Sequence, residues 1–356
     1  MSAGGRFRSV ALLGAFALAF AGCSCGAEKP TPVTAPASTT PETTTTTVPK
    51  PTIVAPLTGA PTTDLAAAGR PALVVKIDNA DPPARPQLGL NQADVVYEER
   101  VEGSVTRFAA VFQSTQSDPV GPIRSARLTD IPIISALTRP LFAWSGANPG
   151  VTRAVRAAPV VDIGPDVAGD AYERRGVGGK VAPHNFYSST AKLWAHAPAD
   201  AQPPAPIFQF RMAGDGRGAG ARKIREVHVD FGVTRGAPVD WRWDANRNGF
   251  ARWQRGTPHV DERGTQVAPR NVIVQFVEYR RNGDVDVGGS PVYVAEQIGS
   301  GACWVLTDSH LIEGTWTKTS NEAITTFTDT KGNPIKLNPG RTWVELSAPG
   351  GARVVH

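Results

Sequence analysis

Five short segments concentrate the side chains able to do chemistry. DNADPPARPQLGL holds Asp78, Asn79 and Arg85, and YEERVEGSVTRF holds Tyr97, Glu98, Glu99, Glu102 and Arg107. GPIRSAR supplies Arg124, Ser125 and Arg127, APHNFY supplies His184 and Asn185, and TPHVDE adds His259 and Asp261. Two arginines just ahead of a helix start expected at Asp130 are electrostatically awkward, because a helix N-terminus already carries partial positive charge. A bound phosphate or carboxylate would satisfy both the guanidinium forks and the helix amides. The alternative is internal pairing of Arg124 and Arg127 with Asp130 or with Glu98, Glu99 and Glu102, and both readings stay open at this level. On the anion reading the ligand-binding set is Asp78, Asn79, Arg85, Arg107, Arg124, Arg127 and Asn185. An acid–base reading draws instead on Glu98, Glu102 and His184, with His259 and Asp261 orienting each other. Its plainer counterpart leaves EERVEG as a solvated strand face. No two histidines share a ligand spacing, so no metal site is expected. Ser125 lacks the GxSxG context of an activated nucleophile, and no cofactor is expected.

The elements that must position these groups change character along the chain. Runs such as ALVVKID (72–78), DVVYE (94–98), VTRFAAVFQ (105–113) and LFAWS (141–145) read as strands, and 151–158 and 190–196 read as helices. Asp130 is placed to cap a short helix, with Pro132 tolerated in its first turn. After the glycine-rich stretch RMAGDGRGAGARK (211–223) the pattern becomes strands and turns, at 226–231, 239–243, 272–279, 292–297, 303–306 and 342–346. Asn248-Gly249, Asn282-Gly283 and Gly332-Asn333 supply turns. The expected fold class is α+β: an N-terminal α/β-type domain over 56–222, then a mostly antiparallel β domain over 223–356.

Ahead of this body stands an address. Arg6 and Arg8 precede an apolar run, Val10 to Ala21, that is short for a bilayer span, and small residues close it before Cys23. Residues 1–22 read as a signal peptide, and Phe20-Ala21-Gly22-Cys23 resembles the lipobox of bacterial lipoproteins, in which the cysteine is acylated. Residues 23–55, rich in Thr and Pro, cannot bury enough surface to offset ordering entropy and read as a stalk. The expected location is the extracytoplasmic face of the cell membrane, held by lipid on Cys23. The formal net charge is +5, and no Lys/Arg block occurs, so no nucleic-acid partner is expected. The remaining cysteines are Cys25, in the leader, and Cys303, in the apolar GACWVL, which is expected to pack as a small buried hydrophobe.

The strings PLTG, RPALVVKIDN, ARPQLGLNQADVVYEERVEGSVTRFAAVFQ, GPIRSAR, APHNFY, NVIVQ and LNPGRTWVEL occur in this order. Together with a W-D and a later H-x-D they resemble the YerB-like lipoprotein family, over about Leu57 to Leu346. Ile123 and Phe186 stand where that family more often has Val and Leu. The resemblance implies layout and location and brings no established activity. Three functions are therefore expected in this order: a tethered module binding an anionic wall polymer or small ligand, an envelope hydrolase or transferase, and a protein-binding scaffold. The last would use Trp241, Trp243, Trp253 and Trp316, should these prove exposed rather than core.

Overall fold

The computed structural model describes residues 53–233, 238–286 and 289–355. The expected signal peptide, Cys23, Cys25 and the stalk up to residue 52 lie outside the described residues. Ile53–Val54, inside the expected stalk, already pair with Pro61–Thr62, so ordered backbone begins ahead of Pro56.

Among the described residues the chain is rich in sheet, and its helices are few and short. In chain order the elements are α1 (Leu65–Gly69), β1 (Leu73–Asp78), β2 (Val95–Arg100), β3 (Thr106–Phe112), α2 (Ile131–Ile134), β4 (Leu141–Ala143), α3 (Pro149–Ala157), β5 (Val161–Asp162) and α4 (Thr190–Trp194). There follow β6 (Arg222–Lys223), β7 (Glu226–Val229), β8 (Val239–Asp244), β9 (Gly249–Gln254), β10 (Asn271–Phe276), β11 (Tyr279–Val285) and β12 (Pro291–Ala295). The last are β13 (Gly299–Thr307), β14 (His310–Lys318), β15 (Thr326–Asp329), β16 (Thr342–Ser347) and β17 (Ala352–Val355).

Eleven strands form one large sheet in the order β6-β14-β13-β10-β16-β2-β3-β1-β4-β5, with β15 joined to β14. Strands from both sides of residue 222 share it, because β16 lies parallel between β2 and β10. A smaller sheet carries β9, β8, β7 and β17 in antiparallel pairing. It covers one face of the large sheet through Trp241, Phe250 and Val227. The other face carries Ile133 and Ile134 of α2 and Val151 and Val155 of α3. With both faces covered, β1, β3 and β16 are buried along their whole length and read as near-continuous apolar runs. The described residues thus form one compact unit.

Local signals hold in most places and fail in informative ones. Asn148 caps α3 with its side chain on the Val151 amide, and Pro149 occupies the first turn. Asp130 sits at the cap position of α2 but makes no capping bond, because its carboxylate is drawn into the core. Asn282-Gly283, expected as a turn, lies within β11 at a register irregularity. Cys303 is a buried free thiol.

Candidate functional site

Strand alternation decides which of the candidate residues can meet. Successive side chains leave a strand on opposite faces, so Glu98 and Glu99 of β2 part company. Registers Asp78↔Arg107↔Glu99 put these three on the helix-covered face. Glu98 lies opposite Phe108 and Glu345, beneath the smaller sheet.

On the helix side the GPIRSAR segment is laced to two parallel strands at their carboxyl ends. The Asp78 amide donates to the Pro122 carbonyl (2.9 Å), the Arg124 amide to the Lys76 carbonyl (2.8 Å), and the Ser145 amide to the Arg124 carbonyl (3.0 Å). Gly121 opens the segment at φ +141°, and a Cβ there would stand 2.8 Å from the Tyr187 ring. The Ile123 amide donates to the Phe186 carbonyl (2.6 Å), which brings the APHNFY loop alongside. His184 Nδ1 consequently lies 2.6 Å from Asp78 Oδ2. The same carboxylate oxygen is 3.2 Å from Arg124 Nε, without hydrogen-bond geometry. Burial pushes the Asp78 carboxyl upward, but the His184 bond and the charges of Arg124 and Arg107 outweigh it and leave it below its ordinary value.

The arginines converge on one open cleft of about 530 Å³. It is lined by Glu102, Arg107, Arg124 and Arg127, by the turn leading into α3, and by Val285, Asp286 and Val292 from the β11–β12 hairpin. Arg127 Nε donates to Glu102 (2.7 Å), and its Nη2 contacts the same carboxylate. Arg107 Nη1 donates to the Ser125 carbonyl (3.1 Å), while its buried Nε has no hydrogen-bond partner among the described residues. Burial first, and then the neighbouring Arg107 charge, lower the pKa of Arg124. Internal pairing therefore accounts for Arg127 through Glu102 and, as an ion pair, for Arg124 through Asp78. It leaves the guanidinium of Arg124 without a hydrogen bond among the described residues.

Beneath the cleft lies a charge triad that the sequence reading did not single out. Lys76, fully buried in β1, donates to Glu99 and to Asp130 (2.7 Å). The other oxygen of Asp130 accepts the Arg127 amide at 2.7 Å, so the triad holds the arginine loop in place. Burial and then the Asp130 charge push Glu99 up to about 7, against the pull of Lys76. The available signal was Lys76 itself, since a charge within an apolar strand needs a buried partner.

On the opposite face a second network gathers Asn79, Glu98 and His259. Glu98 accepts from Thr106 (2.7 Å), Asn79 (3.3 Å) and Arg252 (2.7 Å). His259 bonds Arg252 through Nδ1 and Gln87 through Nε2 (2.8 Å). It is fully buried, and burial, followed by the charges of Arg252 and Arg85, holds it far below the ordinary imidazole range. Glu98 and His259 are thus both shut away from solvent. His259 and Asp261, expected to orient each other, do not meet: Asp261 accepts the Arg263 and Thr265 amides of its own turn and the Asn91 amide group. Arg85 ties Asp81 (3.0 Å) to the Pro258 carbonyl (3.0 Å), and Asn185 accepts from Arg174 (2.8 Å); neither lines the cleft. The tryptophans form no exposed cluster. Trp241 and Trp316 are core, Trp243 packs on Phe250, and Trp253 lies under Arg242.

Comparison with known proteins gives this arrangement its relatives. Residues 57–202 match the family model "Protein of unknown function (DUF3048) N-terminal domain", and residues 227–344 match its C-terminal domain. The chain is 30% identical over 307 residues to "Putative lipoprotein YerB" of Bacillus subtilis, covering 82% of this chain and 85% of that protein. It also superposes on the crystal structure of the YerB protein from Bacillus subtilis with a TM-score of 0.72, at 26% identity, covering 85% of this chain and all of that one. In sequence across both halves and in fold, the chain belongs to the YerB-like lipoprotein family, with the N- and C-terminal domains of DUF3048.

Proposed function

We propose that this is a lipid-anchored envelope protein that holds an anionic group in the arginine cleft. The anchor is the acylated Cys23, freed by loss of residues 1–22 and followed by a stalk running to about residue 55. The body stands on the extracytoplasmic face, with 56–222 and 223–356 as its two sequence domains. The lipoprotein name of the relative supports this address. The observation that carries the binding reading is the convergence of Arg107, Arg124 and Arg127 on one cleft, beside the N-terminus of α3 and at the carboxyl ends of β1 and β4. Ligands of open sheets with parallel strands gather at such ends. An anion there offsets the desolvation of Arg124 and offers acceptors to its unused donors.

Thermal unfolding of the full chain carrying Cys23→Ser, against muropeptides, inorganic phosphate and phosphatidylglycerol headgroup, tests this. An anion at about a hundred times its Kd adds roughly 2.7 kcal/mol. The expected shift disappears in Arg124→Ala. A panel without any shift, or a shift indifferent to Arg124→Ala, sinks the proposal.

A second reading, an envelope hydrolase or transferase, is favoured by the contact between His184 and Asp78. A buried carboxylate on Nδ1 orients an imidazole for proton transfer at Nε2. On this reading His184 is the acid–base group and Asp78 orients it, because Glu98, expected as the base, is buried under the smaller sheet and Glu102, the alternative base, is engaged by Arg127. Turnover of a muropeptide that stops with His184→Gln is its expected signature, and binding without turnover leaves the first reading alone.

A further inference from the structure

On the same face of the large sheet, beyond α2, lies an apolar groove that the arginine cleft does not involve. Phe208, Phe327, Ile335 and Leu337 wall a space of about 480 Å³, within the usual range for small-molecule sites. Ile324 and Phe327 also line a smaller inner chamber with room of only about 20 Å³. That is space for one small polar group.

The chamber's polar groups are unusual for an apolar site. Lys318 and Gln275 line it, each only 2% exposed. Gln275 Nε2 has no hydrogen-bond partner among the described residues. The ammonium of Lys318 has three protons to donate. It donates one to the Ala323 carbonyl and forms no ion pair among the described residues. Buried cations are ordinarily paired, because leaving water without a counter-charge is costly. Burial pushes Lys318 down to about 8, with only the longer-range charge of Glu322 opposing it, so the amine is still largely protonated at neutral pH.

We infer that the groove and chamber form a site for a long-chain carboxylate, a free fatty acid. Its head meets Lys318 and Gln275, and its chain runs out across Phe208 and Phe327. The carboxylate supplies the missing counter-charge and an acceptor for the idle amide, and the alkyl chain covers the apolar walls. The inference is independent of the arginine cleft, whose ligands are met by different residues.

The test titrates the full chain carrying Cys23→Ser with cis-parinaric acid and displaces it with palmitate, hexadecanol or acetate. Palmitate is expected to displace the probe saturably, and acetate is not. Lys318→Gln should weaken palmitate at least tenfold while leaving hexadecanol unchanged. Raising the pH through 8 should weaken palmitate in the parent chain, as Lys318 loses its proton, and not in Lys318→Gln. Ile324→Glu, at a position 37% exposed on the groove, should block both long-chain ligands without altering the unfolding midpoint. Absence of saturable binding overturns the inference, and so does a Lys318→Gln protein that binds palmitate as tightly as its parent.

Discussion

Replacing Lys76 by Met should unseat the floor of the arginine cleft. The side chain is fully buried, and its ammonium is shared by Glu99 and Asp130, both also buried. Methionine fills much of the same volume and leaves two carboxyls facing each other without a cation. Removing one partner of a buried ion pair costs about 3–5 kcal/mol. With an unfolding entropy of roughly 2.1 cal/mol/K per residue over a body of about 300 residues, each kcal/mol lowers the Tm by about 1.6 °C. The expected loss is therefore about 5–8 °C, read by calorimetry at pH 7.5. Acid should narrow the gap. Glu99 titrates near 7, above its ordinary 4.5, so the folded state takes up its proton first, and a protonated carboxyl no longer needs the lysine. Adding Asp130→Asn to Lys76→Met removes one of the stranded charges and should recover part of the loss. A Lys76→Met protein within about 1 kcal/mol of its parent would refute the argument. The triad would then be ornamental, and Arg127 would be held by Glu102 alone.

Four further outcomes are expected. Trp241→Phe removes the 2.7 Å bond to Glu345 that joins the two sheets and should cost about 1–3 kcal/mol in urea unfolding. Burial, and then Glu98, push Glu345 well above 4.5, so its protonated form stabilises the fold at low pH and that contribution is lost as pH rises past the ordinary carboxylate range; Glu345→Gln should flatten this slope. Cys303, whose thiol burial pushes up to about 12, should resist maleimide until the chain is unfolded, and rapid labelling of native protein would contradict its placement. Gly314→Ala sets a Cβ 2.1 Å from the Thr328 carbonyl oxygen, so β14 and β15 must separate; a loss of about 1–3 kcal/mol and weakened parinarate binding should follow together.

Much of the strand content was legible, because β1, β3, β10 and β16 are apolar runs that a doubly covered sheet requires. β14 escaped notice since HLIEGTWTK mixes charge and glycine among its apolar residues, being paired on both sides yet only half buried. The chemical residues were visible by type, but their grouping was not. Glu98 and Glu99 stand together in sequence and face opposite ways, and the ion-pair partner of Glu98 is Arg252, far along the chain in β9. No local pattern reveals that β16 inserts beside β2, yet this pairing sets Glu345 against Glu98. Lys318 and Gln275 likewise line one chamber only because β10, β13 and β14 lie side by side.

The insertion of β16 also dictates an order of assembly. β2 and β10 are separated by about 170 residues of chain, and the strand that joins them is synthesised after both. Until Thr342–Ser347 arrives, β2 has one bare edge, and the sheet exists as two fragments that cannot share a core. Contacts of such long sequence separation slow folding, and exposed edges invite mispairing between chains. A nascent chain built this way stays unfinished until its last strands are made.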